Sequence, residues 1–120
     1  MGSTVLSNQF FGVVLVERAL EGYPENAGPR MHVDEGVTVA GVRLFWSGVY
    51  GNAEQLCIAY AGSISTAWSY QACALPRYDR IDEPEMRRVV NDYLRRYMLT
   101  AQVNKEVAAE PAWLMTVSWR

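Results

Sequence analysis

Arginine is the residue type whose number and spacing in this chain first invite a chemical reading. Ten of the eleven basic residues are arginine, and Arg77, Arg80, Arg87, Arg88, Arg95 and Arg96 fall within twenty positions. Guanidinium forks bind carboxylates and phosphates through paired hydrogen bonds. The cluster therefore reads as an anion site, a partner-protein patch or a solvated helix face. The interleaved carboxylates favour the solvated face. Glu83 lies four residues before Arg87, and Asp92 lies four after Arg88 and close to Arg95 and Arg96. At those spacings helical side chains meet and neutralise one another. Leu99 stands off the apolar stripe of the same segment, which points to a contact surface. With Arg87, Arg88, Arg95, Arg96 and the late aromatic Trp119 it makes up the candidate interface. The net charge of −2 disfavours nucleic acid and anionic membranes as general partners.

The remaining reactive types are sparse. His32, the single histidine, sits beside Asp34 and Glu35, an acid–base pattern. No nucleophile or second histidine lies nearby, so it reads as a loop histidine without a role. Cys57 and Cys73, the two cysteines, both have apolar neighbours. They read as buried free thiols of a cytosolic protein rather than a disulfide. Structural zinc needs about four ligands, which this histidine and cysteine content does not favour. No phosphate loop or dinucleotide fingerprint is present. The expectation is therefore no catalytic set, no metal and no cofactor, and the reading leans away from an enzyme. Four tryptophans and seven tyrosines are more aromatic mass than a core of this size requires, which points to exposed binding anchors.

These residues need elements to hold them. At 120 residues the chain is expected to be one domain, 1–120. No run of about 18 apolar residues suggests a membrane span. No basic segment precedes an apolar core at the N-terminus, so a cytoplasmic protein is expected. The surest element is a helix over 83–101. Asp82 stands at its cap, Glu85 lies three residues on, and Pro84 sits in its first turn. Met86, Val89, Val90, Tyr93, Leu94, Tyr97, Met98 and Ala101 then recur at helical spacing. Val37 to Tyr50 reads as a central strand, Gly51-Asn52 as a turn, and Glu54 to Ala61 as the second arm of a hairpin. Residues 8–20 read as a strand, with a helix from Ser7 to Glu21 as the alternative. Gly22 to Arg30 reads as a loop. Ser63 or Ser65 is expected to cap a short helix through Ala67 to Leu75, stopped by Pro76; Thr66, Trp68 and Tyr70 also alternate as a strand would. Residues 102–110 extend the long helix or fray. From Pro111 a last strand places Trp113, Met115, Val117 and Trp119 on one strongly apolar face. The fold class expected is α+β: an antiparallel sheet of about four or five strands, with one long amphipathic helix and one short helix packed on a face.

The stretch Gln55-Leu-Cys-Ile-Ala-Tyr-Ala-Gly-Ser63, followed by an expected helix bearing Ala67, resembles the strand–Ala-Gly–helix step of proteasome β-type N-terminal-nucleophile hydrolases. Glu83 to Tyr97 is similar to their second helix, Pro111 to Trp119 to the strand after it, and Gly12 to Arg18 to their early strand. The resemblance spans most of this chain but about the first two-thirds of that fold. It implies a layered α+β architecture and a nucleophile, Ser3 or Thr4, freed by processing. Removal of Met1 would instead expose Gly2. No lysine matches the family's catalytic one, and Arg30, the nearest basic residue, does not act as a neutral base. The resemblance thus implies a catalytically degenerate relative. The leading expectation is a small non-enzymatic protein-binding or assembly module, of inhibitor or accessory-subunit type, meeting another protein or its own copy. The alternatives are that inactive hydrolase-like protein, and a small-molecule-binding domain with a pocket between helix and sheet.

Overall fold

Val5–Val14 carries apolar side chains to both sides and forms β1, the strand with which three others pair. The computed structural model describes residues 5–49, 52–68 and 82–119. Within them the element order is β1, α1 (Gly28–Glu35), β2 (Val42–Val49), β3 (Asn52–Tyr60), β4 (Ser65–Trp68), α2 (Glu83–Arg96) and β5 (Ala112–Trp119). The result is a mixed α+β domain with a five-stranded, essentially antiparallel sheet and two helices. Residues 8–14 are strand, so the helical alternative for 8–20 is excluded there.

The sheet order is β3-β2-β5-β1-β4, and β1 also pairs with β3. β5 runs the length of one edge of β1, from Val5↔Trp119 to Gly12↔Ala112. The other edge is shared by β4, at Leu6 to Gln9, and β3, at Gly12 to Val14. The β2–β3 hairpin then reaches round to β5 through one parallel pair, Val49↔Trp119. Pairing through β1, β5, β2 and β3 thus closes on itself, and the sheet has an inside and an outside. Phe10, Val14, Cys57 and Ala59 form the inner cluster, with Phe45, Ile64 and Leu114 against it. Val13, Leu44, Leu56 and Ile58 face outward, where α2 covers them with Val90, Tyr93 and Leu94.

The tight closure depends on Gly12. A Cβ there would stand 1.9 Å from the Ile58 carbonyl oxygen, which no side chain permits. Next to it the β3–β4 edge breaks at a 3-10 turn, Ala61–Ser63. The buried Ser63 hydroxyl repairs the gap: it accepts from Phe11 N (2.8 Å) and donates to Tyr60 O (2.7 Å). This corrects the expectation of a short helix after Ser63. Residues 65–68 are strand β4, and Tyr70 to Leu75 lie outside the described residues.

Helix α2 begins as its sequence requires. The Asp82 carboxylate accepts from Glu85 N (3.3 Å), acids fill the first turn and arginines the last, each favourable to the helix dipole. Met86, Val90, Tyr93 and Leu94 are buried. Burial of each such side chain contributes about 1.5–3 kcal/mol, against about 0.3–0.5 kcal/mol for an exposed helical ion pair. The apolar stripe therefore decides where the helix sits. The helix stops at Arg96, not at Ala101. Met98 takes a left-handed conformation (φ 55°), Met98 N bonds to Arg95 O (3.2 Å) and Leu99 N to Leu94 O (2.7 Å). These are the two bonds of a Schellman ending. The chain then runs back along β1, with Leu15 bridged to Val103 and Asn104 N bonded to Val14 O.

Two further boundaries differ from the sequence reading. Helix α1 occupies residues expected to be loop and strand end: Pro29 lies in its first turn, and Gly36 (φ 63°) closes it by bonding to His32 O. β2 starts at Val42 rather than Val37, because Ala40 and Gly41 both have positive φ and reverse the chain between Val39 and Val42.

Candidate functional site

The α2 arginines, the first candidates, are largely engaged within their own helix. Arg88 bridges Glu85 and Asp92, and Arg95 also holds Asp92. Arg87 lies 3.9 Å from Glu83 and stacks over the Phe11 ring at 5.8 Å. Arg96 lies over Tyr97 at 5.9 Å. The Arg88 bond holds the Glu85 carboxyl below its ordinary range. A face on which Arg87, Arg88 and Arg95 already meet carboxylates presents a weak field to an incoming anion.

Leu99 requires a correction. It is 0 % exposed, because the reversal at Met98 swings it off the helix surface and into the core beside Leu94. No partner reaches it in this fold. The exposed residue of the pair is Met98, at 80 %. Trp119 ends β5, and its side chain lies outside the described residues.

His32 is likewise not the loop residue expected. It is buried in α1, its Nδ1 lies 2.8 Å from the Tyr93 hydroxyl, and its ring meets Tyr97 edge-on at 5.4 Å. Desolvation lowers its pKa below 6.5, with Glu35 opposing and Arg96 assisting. Burial raises the Tyr93 phenol. The pair joins the two helices rather than forming an acid–base site. Cys57 is buried and free, its thiol pushed up to about 12 by burial, so it is not a reactive nucleophile. Cys73 lies outside the described residues. Among the described residues no group of His, Cys, Asp or Glu is placed to hold a metal ion, and no helix is long and apolar enough to cross a membrane.

The surface that stands out is the outer face of β5. Its eight residues, AWLMTVSW, include no charge. Pairing with β1 places Trp113, Met115 and Val117 opposite Phe11, Gln9 and Ser7 on one face. Met115 is 64 % exposed and Val117 39 %. Trp113 anchors the strip: its indole N–H donates to Glu83 at the start of α2 (3.0 Å), and its ring meets Phe11 edge-on at 5.6 Å. A 200 Å³ depression beside Met115 is bounded by Gln9, Trp113 and Leu114. The period of two in this strand was legible in the sequence. That its more apolar side faces outward was not, because only the closed pairing assigns Leu114 to the inside. Among the described residues the second edge of β5 pairs only through Val49↔Trp119, supplemented by a long Ser47 hydroxyl contact to Val117 O (3.4 Å).

Two larger hollows flank Trp46, which is 43 % exposed and lines both. The larger, 560 Å³, has Arg18, Arg30, Glu21, Glu25 and Asp34 in its lining. Arg30 there donates to Tyr23 O and lies 3.9 Å from Glu25, so its charges partly satisfy one another. The second, 430 Å³, lies at one end of the strand circuit.

Compared with known proteins, the chain matches no protein-family model, no curated protein and no solved structure.

Proposed function

We propose that this chain is a non-enzymatic protein-binding or assembly module that docks through β5. The observation that carries the reading is an uncharged eight-residue strand with Met115 and Val117 exposed on one face and an edge that, among the described residues, is paired at one position. Exposed uncharged strand edges are ordinarily blunted by charge, proline or cover, because they template pairing with another chain. Along β5 the described residues supply neither charge nor proline, and β2 stands beside that edge without a continuous hydrogen-bonded ladder. A second strand added to that edge would gain main-chain hydrogen bonds, while Met115 and Val117 supply apolar contact beside it. The partner is accordingly another protein presenting an extended apolar segment, or a second copy of this chain.

The test is analytical ultracentrifugation and affinity capture with the wild type and with a Met115→Lys/Val117→Lys variant. Association by the wild type is expected, with a loss of at least about tenfold in the variant and an unchanged circular dichroism spectrum. A wild type that stays monomeric into the high micromolar range and retains no partner refutes the reading.

A further inference from the structure

We infer that the 430 Å³ hollow at the end of the strand circuit is a binding site for a small apolar monocarboxylate, with Arg43 as the carboxylate's counter-ion. Its volume lies in the lower part of the range of about 300–1,000 Å³ usual for ligand pockets, and the mouths of closed sheets are common places for them.

The walls set the apolar part of the ligand. Leu6, Phe45, Trp46 and Ile64 line the hollow, with Val33 of α1 at one side. Phe45 and Ile64 pack against the inner cluster, so one wall of the hollow adjoins the inside of the strand circuit, while Leu44 and Trp46 form another.

The polar groups set the rest. Arg43 is the single charged residue of the lining. It makes no ion pair with a described residue, unlike Arg88 or Arg95. Asn8 lies within the hollow and is only 9 % exposed. Its amide oxygen accepts from the Thr66 hydroxyl (2.8 Å), and its NH₂ group has no partner among the described residues. A ligand in the hollow can therefore take a hydrogen bond from that NH₂ group. Thr66, Asn8 and Thr116 are register neighbours across β4, β1 and β5, a polar strip on that face in which the Thr116 hydroxyl is buried beside the Cys57 thiol. An amide donor and an uncommitted guanidinium, with no carboxylate in the lining, are complementary to an anionic oxygen acceptor. They repel an ammonium. The 560 Å³ hollow on the other side of Trp46 mixes both signs and lacks this selectivity.

The experiment titrates 4-phenylbutyrate into the full chain, with 4-phenylbutanol and 4-phenylbutylamine as neutral and cationic controls of the same apolar body. Affinity is read by calorimetry and location by the side-chain NH₂ signals of Asn8 in ¹H–¹⁵N spectra. The acid is expected to bind and to shift the Asn8 signals. Arg43→Gln, an exposed position that leaves the core untouched, is expected to weaken it by about ten- to a hundredfold, as for loss of a charge-assisted bond. The alcohol is expected to bind wild type and Arg43→Gln alike. No binding of the acid, equal binding to Arg43→Gln, binding of the amine as tight as the acid, or shifts confined to Arg18 and Glu21 would each overturn the assignment.

Discussion

Ser63 is a small residue with a large structural role. One hydroxyl serves the Phe11 N–H and the Tyr60 carbonyl at the point where the β3–β4 edge breaks. Ser63→Ala leaves a buried N–H unpaired, so a loss of about 1–3 kcal/mol is expected in urea unfolding. His32 supplies a pH dependence whose sign follows from its lowered pKa. The unfolded chain takes up a proton near pH 6.5 while the folded ring stays neutral. Between the two values the unfolded state binds more protons, so stability rises with pH. The contribution is whole above about pH 6.5 and is lost as pH falls through the lowered folded value. Unfolding midpoints measured from pH 7.5 to 5 are expected to decline, and His32→Gln is expected to flatten that decline. Glu85, also lowered, acts only below about pH 4.5, outside this window. Neither role was readable beforehand. Ser63 has the sequence context of a helix cap, and His32 that of an acidic loop, until β1 and Tyr93 are placed beside them.

Among the elements, α2 was legible and its end was not. The cap at Asp82, the stripe through Met86, Val90 and Leu94, and the charge pairs are all local relations of three and four residues, which a sequence displays. The stop at Arg96 rests on Met98 taking a left-handed turn that an L side chain resists by about 1–2 kcal/mol. It is sustained by burial of Leu99 beside Leu94. Since the Met98 side chain is 80 % exposed and packs little, Met98→Gly is expected to stabilise the protein by up to about 1 kcal/mol, read as a raised denaturant midpoint. The same reasoning with opposite sign applies to Gly12 in β1. Gly12→Ala places a methyl group against the Ile58 carbonyl and is expected to cost at least about 3 kcal/mol, enough to lower the melting temperature sharply. Helix α1 had signals of its own, Pro29 near its start and Gly36 at its end. Its eight residues carry too short an apolar pattern to outweigh the surrounding glycines and prolines.

At the scale of the whole molecule, closure of the strand circuit distributes the two binding surfaces. On the two proposals above, the outer side of β5 takes the protein contact and the inner end the small acid. The two are separable: Met115→Lys/Val117→Lys is expected to abolish association while leaving phenylbutyrate affinity unchanged, and Arg43→Gln the reverse. The resemblance to N-terminal-nucleophile hydrolases carries its own check, since that chemistry requires Ser3 or Thr4 as the first residue. Intact mass of the protein from its native source is expected to exclude Ser3 and Thr4 as the first residue. A mature chain starting at Ser3 or Thr4 would restore the hydrolase reading.

By itself the sequence determined what depends on neighbours along the chain: a capped amphipathic helix, a hairpin of two adjacent strands, a last strand of period two, and hence a mixed α+β domain. Tertiary structure alone decided which side of each strand is inside. It turned Leu99 inward and Met115 outward, and it set Asn8 in line with Thr66 and Thr116. The physical reason is that alternation along a strand defines two faces but does not name them. The naming comes from pairings between residues scores of positions apart, and here from the one close approach that Gly12 allows.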